Sequence, residues 1–165
     1  MITLINLTGA FLRNNGKVLL IKRGMHKKIA PGMWSGLGGR IENSEMNTPH
    51  EAALREIEEE SGILPQNVDS LKLQYILLGK HTDYIGQTYI YFGETSQTDI
   101  RQCDEGEIAW VAEEELLNRN FSDYIDQMLK HHLARSSEDK AVYIGVADDV
   151  NNEKLHITWT PCVDF

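Results

Sequence analysis

An α+β fold, a mixed β-sheet with helices packed on it, is predicted by three features of the chain. Its apolar segments run in the order strands, helix, strands, helices, strands. One helix, over about 49–61, carries start and stop signals at both ends. The length, 165 residues, suffices for one core without demanding a second. Residues 1–165 therefore read as a single domain, with no internal repeat, low-complexity segment or linker.

The elements follow in order. The apolar run from Met1 to Leu12 is interrupted by polar residues and has no basic leader or small-residue cleavage site, so it reads as a strand and not a signal peptide. Asn14-Asn15-Gly16 reads as a hairpin turn into a second strand, Lys17–Arg23. A loop rich in Lys, Gly and Pro leads to Trp34, and Leu37–Ile41 reads as a short strand. Thr48-Pro49-His50-Glu51 is a helix start: Thr48 as cap, Pro49 at the first helical position, Glu51 completing a capping box. Such a cap is worth about 1 kcal/mol. Gly62 suits the left-handed position after the helix, and Pro65 lies just beyond. Leu71–Leu78, Thr88–Phe92 and Ile108–Val111 read as strands, with Tyr89, Tyr91 and Phe92 alternating between faces. Glu113–Leu117 and Tyr124–Leu133 read as helices, the second with an apolar stripe of Tyr124, Ile125, Met128 and Leu133. Strands Ala141–Val146 and Leu155–Trp159, joined by a polar turn over Asp148–Asn152, close the chain.

The formal net charge of -9 argues against a nucleic-acid polymer or an anionic membrane as partner. It leaves room for a small anion held through metal ions. Cys103 and Cys162 fit neither a metal spacing nor a disulfide framework, and suit packing positions in a reduced cytoplasmic protein. No apolar run approaches the roughly 18 residues of a membrane helix.

The helix over 49–61 poses an electrostatic puzzle. Its last turn holds Glu58, Glu59 and Glu60, at the end where the helix dipole makes a carboxylate unfavourable. Glu56 and Glu60 are four apart and repel each other. Glu56, Glu59 and Glu60 share one face, while Glu58 points away and Ala53, Leu54 and Ile57 are free to face the sheet. Arg55 lies beside Glu59, in place for a charge-assisted hydrogen bond. A hard divalent cation such as Mg²⁺ or Mn²⁺ would turn the repulsion into attraction; the alternative is a solvated acidic face.

Gly39, Glu45, Arg55-Glu56-Ile57, Glu59-Glu60 and Gly62-Ile63 resemble the Nudix box of the MutT-type hydrolases over residues 39–63. One departure stands out: nine residues, where the family has seven, separate Glu45 from Arg55, the extra two falling near Met46 and Asn47. The resemblance implies an α/β/α sandwich with the box as a loop–helix–loop. It implies hydrolysis of a nucleoside diphosphate linked to another group, by water attacking phosphorus. Glu56, Glu59, Glu60 and the Gly38 carbonyl are the implied metal ligands, and Glu45 the residue that orients Arg55. The family often adds a glutamate from outside the box, and Cys103 to Trp110 resembles that segment, with Glu105 first and Glu107 second as ligand or base. Arg55, Glu59, Glu60, Glu105 and Glu45 make up the implied catalytic set.

Trp34-Ser35-Gly36-Leu37-Gly38-Gly39-Arg40 resembles a segment of the oxidised-purine nucleoside triphosphatases, with Ser35 where those have Asn. Trp34 and Ser35 fall in the segment that grips the base in those enzymes, and Phe121, Asp123 and Tyr124 lie near a second base-gripping region; Arg23 and Arg40 could contact phosphate or base, and Gly38 and Gly39 let the backbone come close to the ligand. Hydrolysis of a nucleoside triphosphate such as 8-oxo-dGTP follows as one expectation. ADP-ribose, dihydroneopterin triphosphate or another nucleotide derivative is a second, and a non-catalytic nucleotide-sensing module a third. His81, His131, His132 and Trp110 read as structural, and Lys27 and Lys28 as a solvated loop. A monomer or a homodimer fits equally.

Overall fold

The computed structural model describes residues 2–28, 30–81, 84–148 and 155–163. The elements are β1 (Thr3–Asn14), β2 (Lys17–Arg23), β3 (Trp34–Ser35), α1 (Pro49–Ser61), β4 (Val68–Lys80), β5 (Tyr84–Thr95), β6 (Gly106–Ala112), α2 (Asp123–Ala134), β7 (Val142–Asp148) and β8 (His156–Cys162). They form one sheet in the order β3-β2-β1-β5-β4-β7-β8, with β6 paired to β2. The pairs β1–β5 and β4–β7 are parallel and the remaining ones antiparallel.

Alternation along the strands creates two cores, one on each face. Phe11, Val18, Leu20, Tyr75 and Ile90 meet Met128 and Leu129 of α2. Ala10, Leu12, Leu19, Ile21 and Tyr91 meet Ala53 and Ile57 of α1. One helix thus covers each face of a mixed sheet, which is the sandwich the resemblance implies. The hairpin between β1 and β2 turns through Asn15 (φ 48°) and Gly16 (φ 72°), both in the left-handed region that a two-residue turn of this hand requires.

Several expected elements differ. Residues 37–41 form no strand; Leu37 and Arg40 make only single bridges to Ala10 and Leu7. Thr48 makes no side-chain cap on α1; its hydroxyl instead lies 3.4 Å from the Glu45 carbonyl as donor. The segment after β6 is a 3₁₀ turn, Glu113–Asn118. Leu133 is 44% exposed, and Leu129 takes its place in the core. In α1, Ala52 is buried whereas Leu54 is only partly so. The expected turn over Asp148–Asn152 lies almost wholly outside the described residues. No helix among them is long and apolar enough to cross a membrane.

Candidate active site

The site is built on the C-terminal half of α1. Arg55 is its hub. The guanidinium donates from Nε to Glu45 Oε1 (2.8 Å) and from Nη2 to Glu45 Oε2 (2.9 Å), a bidentate clamp. Nη1 donates to Glu56 Oε1 (2.8 Å) and Glu59 Oε2 (3.1 Å), and Nη2 also to the Arg40 carbonyl (3.0 Å). The two-residue insertion therefore leaves Glu45 on Arg55. The extra residues fall in the turn at Met46 and Asn47, between a 3₁₀ turn, Asn43–Glu45, and the start of α1; the Glu42 N–H donates to Glu45 Oε2 at 3.0 Å, holding the carboxylate in place. The hydrogen bonds from Arg55 hold the Glu45 carboxyl below its ordinary range, and the same pairing raises the pKa of Arg55.

Glu60 is in the opposite condition. It is only 4% exposed and accepts a hydrogen bond from the Gly38 N–H (2.8 Å). Burial pushes its pKa up to about 8; the Gly38 bond and Arg23 pull it down, while the charges of Glu56 and Glu105 push it further up. Burial also raises the carboxyl of Glu56, against the pull of Arg55. Glycines make this crowding possible. A Cβ on Gly38 would collide with the Thr8 carbonyl, and one on Gly39 would lie 2.6 Å from Glu56 Oε1.

The donor set fits a hard divalent cation. Glu60 is a buried carboxylate whose ionisation is opposed by the neighbouring carboxylates of Glu56 and Glu105, a set of oxygen donors whose repulsion Mg²⁺ or Mn²⁺ relieves. Glu59 is turned to Arg55, and among the described residues no three acidic, histidine or cysteine groups already converge as ligands of one ion. Glu105 forms an ion pair with Lys27, so Lys27 is not the solvated loop residue expected. Its loop is fastened to that of Glu105 by the bond from Gly24 N–H to the Glu105 carbonyl (2.9 Å).

These groups line one end of a groove of about 1020 Å³. Glu56, Glu59, Glu60, Arg55, Glu105, Arg23, Trp34, Ser35, Gly38, Gly39 and Arg40 all face it. Glu58 and Glu107 do not. The NUDIX domain family model matches residues 6–131, more than half of the 165 residues.

The chain belongs to the Nudix family of hydrolases.

Solved structures of Nudix proteins share its fold. The mMutator MutT protein of Bacillus halodurans superposes with a TM-score of 0.73 at 19% identity, over 95% of this chain and 97% of that one. The MutT protein of Methanosarcina mazei Go1 gives 0.68 at 21% identity, over 81% of this chain and 98% of that one. The NUDIX domain of Shewanella oneidensis NrtR, solved in complex with ADP ribose, gives 0.60 at 17% identity, over 81% and 90%.

Two expected substrate contacts fall outside the Nudix groove. Phe121 is 6% exposed and packs in the α2-side core. Asp123 is exposed at the start of α2 and does not face the groove. Their neighbours Ser122, Tyr124 and Ile125 do. A shift of one residue at a helix start changes which side chain points inward. Sequence reasoning also missed Thr8, whose buried hydroxyl has no hydrogen-bond partner and which lines the groove. It read His81 as structural; His81 is exposed and lines the groove beside Tyr84. Trp110 packs against the α1-side core, as expected, and its Nε1 donates to the Thr98 carbonyl (3.0 Å).

Proposed function

We propose that the chain is a divalent-metal-dependent pyrophosphohydrolase that cleaves a nucleoside triphosphate to the monophosphate and pyrophosphate. The observation that carries this reading is Glu60: a carboxylate buried beside Glu56 and Glu105, at the end of an open groove, with the Gly38 N–H as its hydrogen-bond donor. A protein bears such a cost where function uses it. Glu56, Glu59, Glu60, Glu105 and the Gly38 carbonyl would hold Mg²⁺ or Mn²⁺. When bound, the metal supplies a lowered pKa for the attacking water and neutralises charge on the phosphates.

The rest falls to this chain's own side chains. Arg55 holds Glu56 and Glu59 in register while Glu45 holds Arg55. Arg23 and Arg40 take the phosphates, and Trp34 and Ser35 border the nucleoside. Glu105 serves as a further ligand or as the base that receives the water proton. Residues 1–165 act as one domain on a small nucleotide in the cytoplasm. Within the triphosphates, 8-oxo-dGTP is a candidate because of the segment Trp34–Arg40. A second reading, hydrolysis of ADP-ribose or a similar diphosphate derivative, draws on the NrtR domain solved with ADP ribose.

A hydrolysis panel decides between them: canonical and 8-oxo nucleoside triphosphates, dihydroneopterin triphosphate and ADP-ribose, each with Mg²⁺, with products identified. Pyrophosphate and a monophosphate are expected from a triphosphate. AMP and ribose 5-phosphate from ADP-ribose would establish the second reading. Glu60→Gln should lose at least 100-fold in kcat; full turnover by that variant in Mg²⁺ overturns the metal assignment. Tight nucleotide binding without turnover in any divalent metal would make the chain a sensing module instead.

A further inference from the structure

The cover that α1 gives its face of the sheet is partial. In β4, Tyr75 and Leu77 are buried on the α2 side, so Ile76 and Leu78 project from the other. In β7, Gly145 is paired with Leu77, and Ile144 and Val146 project beside Ile76 and Leu78. None of these four aliphatic side chains belongs to either core, and Val146 is 41% exposed. A strand with one wet face alternates apolar and polar residues, whereas one covered on both faces is apolar throughout. Ile76-Leu77-Leu78 and Tyr143-Ile144-Gly145-Val146 are of the second kind. The registers set this surface in two level rows across β5, β4, β7 and β8: Tyr89, Ile76, Ile144, Thr160 and Gln87, Leu78, Val146, Thr158. Four aliphatic residues form the centre and hydrogen-bonding residues flank it on both outer strands. None of the eight is a charged residue, in a chain whose formal charge is -9. The groove is on the opposite face, where Leu77, Gly79, Thr88 and Ile90 line it.

We propose that this face is an interface between two copies of the chain, stacked sheet on sheet about a two-fold axis that runs along the strands between β4 and β7. Such an axis reverses the strand order across the interface and keeps the rows level. Ile76 and Leu78 then meet Ile144 and Val146 of the second copy. Thr158 and Thr160 meet Gln87 and Tyr89 of the second copy. Apolar groups fall on apolar groups and hydrogen-bonding groups on hydrogen-bonding groups, so the surface is complementary to itself. An apolar centre with a polar rim is the anatomy of a specific interface. Sheets packed in this way lie about 10 Å apart with their strands within about 30°. Four strands at about 4.8 Å, seven residues long, give about 440 Å² of each copy in plan. The accessible area of the projecting side chains is larger, which brings two copies to about 1,000 Å², the lower bound for a specific interface. That area fits a reversible dimer and not an obligate one. Charge selects against other occupants, since the uncharged centre offers nothing to a phosphate backbone or an anionic membrane and the net charge repels both. Two acidic copies also repel each other, so their association is apolar and grows as salt screens the repulsion.

Sedimentation velocity on the full chain tests this. The wild type should be monomeric at about 1 µM and largely dimeric at about 200 µM, with a Kd on the order of 10–50 µM. That Kd should fall at least about 3-fold between low and high NaCl; a Kd that rises with salt overturns the apolar mode. Val146→Lys and Thr158→Lys, both at exposed positions, should each raise Kd by about 10-fold or more, because the two-fold axis enters every change twice. Leu133→Lys alters a comparably exposed apolar residue (44%) of α2 and should leave Kd unchanged. Adding Gln87→Glu to Thr158→Lys should bring Kd back to within about 3-fold of wild type. Within one copy those positions are three strands apart, about 14 Å, so only a pair formed across the interface restores it. Thermal melts confirm folding of each variant. A chain that stays monomeric at about 200 µM overturns the proposal and leaves the face to another domain or protein. A dimer that survives Val146→Lys and Thr158→Lys, or one that Leu133→Lys breaks, overturns the choice of surface. Failure of Gln87→Glu to restore the dimer overturns the two-fold arrangement.

Discussion

Glu60 is the residue at which stability and function oppose each other. An unfolded glutamate releases its proton near pH 4.5, whereas folded Glu60 holds it up to about pH 8. Below 4.5 both states are protonated and the residue costs nothing. Between 4.5 and 8 the folded state binds more protons than the unfolded one, so stability falls as pH rises, and the full penalty applies above 8. Each pKa unit corresponds to about 1.4 kcal/mol. In EDTA at pH 8.5, Glu60→Gln should therefore unfold in urea with a free energy about 2–4 kcal/mol above wild type, and the gain should vanish near pH 4.5. A variant that loses catalysis would gain stability, and Mg²⁺ should narrow the gap by stabilising only the wild type. Glu58→Gln is the control. Glu58 lies outside the groove, and its backbone carbonyl, not its carboxylate, is what Gly62 and Arg101 use; stability and kcat should both stay within about 0.5 kcal/mol of wild type.

At the scale of the element, α1 shows how its acidic last turn is tolerated. No basic residue lies in that turn. The compensating cation comes from outside: Arg101 Nη2 donates to the carbonyls of Glu58 (3.0 Å) and Glu59 (3.1 Å), and the Arg101 N–H to that of Ser61 (2.8 Å). A positive charge on the free carbonyls of a helix end opposes the dipole. Arg101→Ala should cost about 1 kcal/mol in urea unfolding at low salt, and less at high salt as screening removes the charge part of the effect. The helix itself was legible in the sequence, because Pro49, Gly62 and the spacing of Ala53 and Ile57 are local signals. Arg101 was not, since it is forty residues away along an irregular segment and only the fold brings it there. Tyr124 was named together with Phe121 and Asp123, but that it alone of the three faces the groove was not legible, since it packs against Gly79 on another element. Glu45 shows the converse case, as a spacing that departed from the pattern still folds to the same clamp on Arg55. The second helix carries its own prediction. His132 of α2 stacks on Phe92 at 3.8 Å and 13°, and its Nδ1 is buried without a partner. Burial, then Arg135, Arg13 and His131, push its pKa down to about 4. The unfolded imidazole takes up a proton below about 6.5 and the folded one only near 4, so stability is lost as pH falls through that window. Discounted for partial exposure, the loss is about 1–2 kcal/mol. His132→Phe keeps the stacked ring and removes the titration. Urea melts at pH 7.5 and pH 5 should show a smaller drop for the variant; equal drops would assign the acid sensitivity to other groups.

For the whole molecule, the two cores and the groove meet at β1. Its alternating residues feed both cores, Phe11 one and Ala10 and Leu12 the other, while Leu7, Thr8 and Gly9 line the groove. The acidic end of the groove is thus anchored to the middle of the sheet, and metal binding there should be felt as global stability. The formal charge of -9 complicates the measurement, because any salt relieves general repulsion. Specific binding and screening are separated by matching ionic strength. A divalent ion at 100 times its Kd stabilises the fold by about 2.7 kcal/mol, and 1 kcal/mol corresponds to about 2–4 °C in Tm for a chain of this size. Mg²⁺ should therefore raise Tm by about 5–10 °C over NaCl of equal ionic strength at pH 7.5. Glu56→Gln and Glu60→Gln should each lose most of that difference, whereas Glu115→Gln, on the surface away from the groove and paired with Arg119, should keep it. If Mg²⁺ and matched NaCl shift the wild type equally, the carboxylates of α1 do not form a metal site, and the cost of burying Glu60 needs another explanation.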